Sequence, residues 1–385
     1  MTRLARRLEE IDAFHVMAIL ARARALEAQG RSVVHMEIGE PDFPTAEGLV
    51  EAGIAALRAG HTHYTPALGL PELRAAIAAH YPASCRPDPA RVMVTPGASG
   101  ALALVFAALL NPGDDVLMAD PGYPCNRHFV RLFEGGARGI PVDAGTGYQL
   151  TADLVRRHWT PKTVAVLLAS PANPTGTQVP TAEMRRIAET VRELGGVLVV
   201  DEIYHGLTYG ADAVSVLQHD RDAFVINSFS KYYGMTGWRL GWIVAPPAYV
   251  PALDKLAQNV FLAASTPAQH AALAAFTPGV HRELERRREV FRERRDYLLP
   301  ALRQLGFRIP VTPEGAFYLY ADCSGFTDDS ERFANDLLEQ TGVAITPGID
   351  FGSHRAREHV RFSYANTRPN LEEGVRRLTE FLRRG

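Results

Sequence analysis

The chain has 385 residues, 46% of them hydrophobic and 22% charged, with a formal net charge of −2. This is the make-up of a soluble globular protein, and at roughly 150 residues per domain the length allows two domains. The balance of 41 basic against 43 acidic residues excludes the broad positive field of a dedicated nucleic-acid or anionic-membrane binder. The first apolar stretch, Ala13–Ala21, contains His15, follows Glu9, Glu10 and Asp12, and precedes Arg22 and Arg24. It reads as an amphipathic helix and not as a signal peptide. Thr45 is placed to cap a helix to Ala59, and Pro71 to open another to His80. An alternation follows: strand Arg91–Thr95, helix Gly100–Leu110, strand Val116–Met118, helix Pro124–Phe133, strand Val164–Ala169 and helix Thr181–Leu194. Three further strands are read at Val197–Val200, Phe224–Asn227 and Leu240–Ala245. Short, apolar strands separated by helices imply a mostly parallel sheet covered on both faces.

Beyond Pro246 the pattern changes. Two long helical stretches, Ala248–Phe276 and Val280–Leu305, are followed by strand Ala316–Asp322 and helix Ser330–Thr341. Strands Val343–Thr346 and His359–Ser363 and a terminal helix capped by Asn370 complete the chain. The charge run Arg286–Arg295 reads as a solvated helix face. The expected fold class is therefore α/β. A large domain, residues 45–275, has a mostly parallel sheet with helices on both faces. A smaller α+β domain is built from the C-terminal residues 276–385 and the N-terminal segment 1–44 that packs on it. The uncharged run Val94–Pro112 is broken by Pro96, Gly97 and Gly100, so no membrane span is expected. Cys85, Cys125 and Cys323 are three at no metal-like spacing; no metal site follows, and a reducing cytoplasm fits.

Only three lysines occur, Lys162, Lys231 and Lys255, and the other 38 basic residues are arginine. Any chemistry that needs a lysine amine has three candidates. Four polar or glycine-rich points interrupt the sheet region at strand ends, where open α/β folds place their sites. Pro96-Gly97-Ala98-Ser99-Gly100 supplies amides at a helix start, a place for a phosphate. Ser170-Pro171-Ala172-Asn173-Pro174 holds an asparagine in a stiff turn, and Asp201 ends an apolar strand, where a partly desolvated acid needs a cation. Ser228-Phe229-Ser230-Lys231 and Trp238-Arg239 flank the turn between two strands. An aromatic aldehyde phosphate satisfies all four: a lysine forms a Schiff base with the aldehyde, an acid holds a pyridine nitrogen protonated, and arginine with a helix N-terminus holds the phosphate.

Six segments carry a family resemblance: Gly39-Glu40-Pro41-Asp42-Phe43, Tyr64-Thr65-Pro66, Asn173-Pro174-Thr175-Gly176, Asp201-Glu202-Ile203-Tyr204, Ser228-Phe229-Ser230-Lys231 and Gly237-Trp238-Arg239-Leu240-Gly241. In this order the chain resembles the class I/II aminotransferases, pyridoxal-phosphate enzymes of fold type I, over nearly its whole length. The resemblance implies the cofactor pyridoxal 5′-phosphate, with Lys231 as the Schiff-base amine and proton carrier, Asp201 on the pyridine nitrogen, and Tyr204 and Asn173 on the ring's phenolic oxygen. It implies Tyr123 stacked on the ring, and Ala98, Ser99, Gly100, Ser228 and Arg239 on the phosphate. Tyr64 would reach in from a neighbouring subunit of a homodimer with sites at its interface. Arg361, with Gly39 and Asn173 nearby, would grip the substrate carboxylate in a bidentate fork.

The implied reaction is a ping-pong transamination between an L-amino acid and a 2-oxo acid, with no nucleic acid or membrane partner. The alternative is a β-lyase or decarboxylase of the same fold, because the cofactor motifs do not separate these reactions. No strand is followed by the Gly-x-Gly-x-x-Gly turn of a nicotinamide enzyme. The aspartate-type members of the family that the chain resembles often carry a lysine in the phosphate loop, and Gly97–Gly100 has no basic residue; by that resemblance a neutral or apolar substrate side chain is preferred to a dicarboxylate. Phe14, Ile19, Phe43 and Ala263–Ser265 are candidates for shaping its pocket.

Overall fold

The protein is described here from a computed structural model covering residues 4–210 and 213–383. Its strands are β1 (Val34–His35), β2 (Val92–Thr95), β3 (Asp115–Asp120), β4 (Gly136–Pro141), β5 (Thr163–Ala169), β6 (Val197–Asp201), β7 (Phe224–Ser228), β8 (Gly241–Val244), β9 (Tyr318–Asp322), β10 (Val343–Ala344), β11 (Thr346–Pro347) and β12 (His359–Ser363). Its helices are α1 (His15–Ala28), α2 (Glu47–Arg58), α3 (Pro71–His80), α4 (Gly97–Leu109), α5 (Pro124–Leu132), α6 (Ala152–His158), α7 (Thr181–Glu193), α8 (Val250–Val260), α9 (Thr266–Leu273), α10 (Pro278–Gln304), α11 (Ser330–Thr341) and α12 (Arg368–Leu382).

Seven strands form one sheet in the order β2-β8-β7-β6-β5-β3-β4. Neighbours from β7 to β4 are parallel, whereas β8 runs antiparallel to both β2 and β7. Alternate residues enter opposite cores: Leu198 and Val200 of β6 join the cluster with Trp242 and Val225, while Val199 joins Phe106, Phe224 and Ile243 on the other face. That two-residue alternation between two apolar layers explains why the strands read as continuous hydrophobic runs. Outside this sheet, β11-β12-β9 form a small antiparallel sheet and β1 pairs in parallel with β10. The N-terminal chain thus contributes a strand to a region built mostly from the C-terminal third. No helix among the described residues is long and apolar enough to cross a membrane.

Several local expectations are corrected. Thr45 does not cap α2; its hydroxyl donates to the Gly234 carbonyl and accepts from Trp238 Nε1. The cap of α12 is Thr367, whose hydroxyl accepts from the Asn370 amide. The pattern Ala248–Phe276 is broken between α8 and α9, where Leu262 adopts a φ of 63°. Helix α4 starts three residues earlier than expected, at Gly97. Strand β4 went unread because Gly-Ala-Arg-Gly-Ile-Pro has no apolar alternation; only pairing with β3 makes it a strand. The solvated reading of the α10 charge run fails at Arg287 and Arg294, which are buried. Arg294 forms a fork with Asp42, at 2.7 and 2.9 Å, and Arg287 donates to the Pro44 carbonyl. These charges tie α10 to the segment leading out of β1.

Strand β8 lies so close to the start of α4 that its first residue has no room for a side chain. A Cβ on Gly241 would lie 2.7 Å from the Gly97 carbonyl carbon and 2.9 Å from the Ala98 nitrogen. Gly241→Ala is expected to destabilise the protein by about 1–3 kcal/mol and to displace the first turn of α4. Urea unfolding checks this, and a midpoint equal to wild type would contradict the packing.

Candidate active site

Sheet order brings together residues that are distant in the chain. β5, β6 and β7 are neighbours in parallel register, with Ala169 opposite Asp201 and Asp201 opposite Ile226. The turn after β5 carries Asn173, and the chain after β7 carries Lys231, so their side chains emerge at one sheet edge. Because β8 is antiparallel, its N-terminal end lies at the same edge, and Gly241 faces both Thr95 and Ser228. Arg239, two residues earlier, is brought to the start of α4. A Cβ on Gly97, whose φ is 68°, would sit 2.5 Å from an Arg239 guanidinium nitrogen. The positive φ favours glycine there, and a side chain would also push the Arg239 guanidinium away from the helix start.

At that helix start the amides of Ala98 and Ser99 have no acceptor among the described residues, as expected for the first turn of a helix. The Gly100 amide already reaches the Pro96 carbonyl at 3.4 Å. Ser228 Oγ lies 2.9 Å from Ser230 Oγ and 3.0 Å from the Leu240 carbonyl, so Ser230 joins the serine singled out from the sequence.

Lys231 Nζ donates to the Gly39 carbonyl at 2.5 Å and lies 5.9 Å from the centre of the Phe317 ring. Burial lowers its pKa to about 8, with Arg361 and Arg239 acting in the same direction and Glu40 and Asp201 opposing. Burial also raises the Asp201 carboxyl to about 7; the neighbouring acid Glu202 adds to this, while the Ile203 amide and Lys231 oppose it. Asp201 is 5% exposed, and no cation lies within ion-pair distance of it among the described residues. Among the described residues its carboxylate accepts one hydrogen bond, from the Ile203 amide 3.0 Å away.

Arg361 on β12 is 2% exposed. It donates from NH1 to Asn173 Oδ1 at 2.9 Å, and from NH2 to Thr346 Oγ1 at 3.2 Å and to the Glu37 carbonyl. Its guanidinium lies 4.3 Å from the centre of the Tyr318 ring and 4.8 Å from that of Phe351. No carboxylate pairs with it among the described residues, and its Nε is buried without a partner. Tyr204 is buried, with its hydroxyl 2.9 Å from that of Tyr318. Gly39 also lies against Tyr318, whose hydroxyl would clash with any Cβ there. Tyr123 meets the edge of Phe14 at 6.2 Å. A cavity of about 330 Å³ opens on the other side of Tyr123 and Asn173, lined also by Asp120, Asn126 and Gln149.

The structure therefore gathers Lys231, Asn173, Tyr204, Arg361 and Gly39 into one contact network with Tyr318, with Asp201 electrostatically coupled to Lys231, and Arg239, Ala98, Ser99, Gly100 and Ser228 into an adjoining one. It does not bring Tyr64 to either; that residue is 82% exposed. Of the proposed pocket residues only Phe14 adjoins the site. Ile19 is buried with Ala23, Leu26 and Leu338, Phe43 packs on Phe291, and Ser265 caps α9. Tyr318, Thr346 and Phe351 were not legible as site residues, since in sequence they are ordinary members of apolar strands and their turns.

An α/β sheet with a half-buried lysine, an unpaired acid and a helix start at one edge has the groups that an anionic cofactor needs. Residues 31–378 match the family model of aminotransferase class I and II. The chain is 40% identical to the valine–pyruvate aminotransferase of Mycobacterium tuberculosis, covering 97% of each chain. It is 37% identical to the (5-formylfuran-3-yl)methyl phosphate transaminase of Methanocaldococcus jannaschii, covering 98% of this chain and 99% of that one. Among solved structures, an aminotransferase from Mycobacterium tuberculosis superposes with a TM-score of 0.97 at 40% identity, over the whole of both chains. Aspartate aminotransferase from Thermus thermophilus with maleate gives 0.94 at 35%, covering 99% of this chain and 100% of that one. The chain belongs to the class I and II aminotransferase family. It is a transaminase, and its cofactor is pyridoxal phosphate.

The raised pKa of Asp201 makes a stability prediction for the cofactor-free protein. The folded value of about 7 exceeds the ordinary 3.8, so the ionised carboxylate opposes folding. That cost is absent below pH 3.8, grows through pH 7 and is complete above it. Asp201→Asn is expected to stabilise the cofactor-free protein at pH 8 by roughly 1–3 kcal/mol and to change little near pH 4. Calorimetry at the two pH values checks this; equal melting temperatures at pH 8 would contradict an unpaired buried acid.

Proposed function

We propose that this transaminase uses Lys231 as its reactive amine and Arg361 as its grip on substrate carboxylates, and that its preferred donor is an L-amino acid with a neutral or apolar side chain. The observation that carries the reading is a half-buried lysine with a depressed pKa, electrostatically coupled to a buried acid that has no cation within ion-pair distance among the described residues. That pair suits an aldehyde and a protonated pyridine nitrogen, and the free amides of Ala98 and Ser99 next to Arg239 suit a phosphate. The residues present therefore fit pyridoxal phosphate. When bound, the cofactor supplies an aldehyde that takes up the donor's amine and a protonated ring that draws electrons from its Cα.

The chain's own residues do the rest. Asp201 would hold the ring nitrogen protonated, and that cation would favour the ionised form of an acid otherwise held near neutrality. Tyr204 and Asn173 would hydrogen-bond the phenolic oxygen, and Tyr123 would pack on the ring. Ala98, Ser99, Gly100, Ser228 and Arg239 would hold the phosphate. Arg361, aided by Asn173 and the Gly39 backbone, orients the donor so that its Cα–H faces Lys231; proximity of this kind contributes at best about 7 kcal/mol. Lys231, whose pKa burial lowers to about 8, would be the group that takes the proton from the donor's Cα and carries it onward. A 2-oxo acid would be held by the same grip for the reverse half of the reaction.

The neutral-donor preference rests on Gly97–Gly100, which holds no basic residue, and on the arginines beside the adjoining cavity, which are already engaged. Arg127 donates to the Asp350 carbonyl and Arg131 to the Glu10 carbonyl. The valine–pyruvate relative points the same way. We read residues 45–275 as the large domain, with 1–44 and 276–385 forming the small one. We also read the enzyme as a cytoplasmic homodimer in which Tyr64, 82% exposed, completes the phosphate site of a second copy.

Two measurements test these assignments. Lys231→Ala is expected to abolish the pH-dependent visible absorbance of the holoenzyme and to lower kcat by about 10³-fold, while Lys162→Ala and Lys255→Ala retain both; retention in Lys231→Ala overturns the role. In a donor screen with pyruvate and 2-oxoglutarate as acceptors, valine, leucine or alanine is expected to exceed aspartate and glutamate in kcat/KM by at least about tenfold. The reverse order rejects the substrate class.

A further inference from the structure

Glu37 is an acid with none of its surface exposed, two residues before Gly39. Its Oε1 lies 2.7 Å from His35 Nδ1, and His35 Nε2 lies 3.2 Å from Glu27 Oε1 on α1. Its Oε2 has no partner. A buried ion pair is weak evidence of stabilisation, since well-packed apolar residues often do as well or better. Its location suggests a different use.

The backbone carbonyl of Glu37 accepts from Arg361 NH2 and from Thr346 Oγ1, the latter at 3.0 Å. Up to Met36 this segment is held by the backbone: Met36 donates to the Ala344 carbonyl at 2.9 Å and accepts from the Ser363 amide at 2.7 Å. The next residue is the one whose carbonyl must point at Arg361, and its side chain is locked to His35 inside the protein. A displaced peptide here would move an acceptor of a guanidinium that has no carboxylate of its own.

We propose that His35 and Glu37 are a positioning pair, fixing the Glu37 peptide so that its carbonyl sets the orientation in which Arg361 receives substrate carboxylates. The inference rests on the reading of Arg361 given above. The charged groups facing His35 are Glu37 on its own segment and Glu27 on α1. Arg361 of β12 meets the Glu37 carbonyl, and Arg377 of α12 is engaged with Glu373 and Ser32. The hydrogen bond to Glu37, aided by Glu27 and against partial burial, raises the His35 pKa to about 9. A raised histidine contributes stability that is complete below its ordinary value of 6.5 and is lost as pH rises through about 9. Above that pH the Glu37 carboxylate is left buried beside a neutral ring, and the grip of Arg361 loosens.

The test is the KM of the holoenzyme for its 2-oxo acid acceptor from pH 7 to 10, because a 2-oxo acid has no amine that titrates in this range. Wild type is expected to show KM rising several-fold with a midpoint near pH 9, a midpoint absent from the pH profile of kcat. Glu37→Gln is expected to raise KM at pH 7.5 by about tenfold, to leave kcat within about twofold, and to lose the pH-dependent rise. His35→Gln, a second variant should Glu37→Gln fold poorly, is expected to behave in the same way. Wild-type KM values from pH 7 to 10 in either variant, or a loss confined to kcat or thermal stability, overturn the positioning role. Arg361→Lys is run in parallel: a raised KM for every acceptor upholds the grip whatever Glu37→Gln does, and an unchanged KM refutes the reading beneath the inference.

Discussion

A guanidinium buried without a carboxylate is the constraint around which this molecule is arranged. Desolvating a charge costs several kcal/mol unless hydrogen bonds and local dipoles replace water. At Arg361 the replacement comes from neutral groups on separate parts of the chain: the Glu37 carbonyl, the Thr346 hydroxyl, the Asn173 amide oxygen and the faces of Tyr318 and Phe351. Each partner partly satisfies the cation, and none neutralises it. The N-terminal segment, the small sheet and the turn after β5 therefore converge on one side chain, which retains a buried Nε with no partner. A carboxylate partner within the protein would compete with the substrate for that capacity.

The same economy of charge governs the sheet edge. Burial moves Asp201 up to about 7 and Lys231 down to about 8, in opposite directions from one cause, because a poorly solvated site disfavours both charged forms. An acid and an amine poised near neutrality are suited to exchanging protons with a bound group. The close approach of Gly241 to the start of α4 brings phosphate-suited amides to the same edge, so packing and chemistry meet at one glycine.

The relatives share the family while carrying names for different substrates, from valine and pyruvate to a furan phosphate and aspartate or prephenate. The α-carboxylate is common to every amino acid, so a grip on it cannot tell donors apart. On the reading of Arg361 proposed above, discrimination among donors comes from what borders the site beyond it, where Phe14 meets Tyr123 and the engaged arginines Arg127 and Arg131 stand by the neighbouring cavity.

Much was legible in the sequence because its signals are local. Apolar strands between helices announced the sheet, Pro71 opened α3 as expected, and the scarcity of lysine left one candidate amine at a strand end. Strand β4 and the two-residue strand β1 were not legible, and the strand read at Val343–Thr346 did not reveal its division into β10 and β11, since pairing rather than periodicity makes these strands. Nor were Tyr318, Thr346 and Phe351, whose residue types suit any core. Arginine shows the limit most plainly: with 38 in the chain, composition could not reveal that Arg294 forks to Asp42 while Arg361 is buried with no carboxylate. Residue type and spacing by themselves determined the family, the layered α/β fold and the kinds of group at the site. Only the tertiary structure decided which charges are paired, which are stranded and how far burial moves them, because those depend on what long-range packing places within a few ångströms.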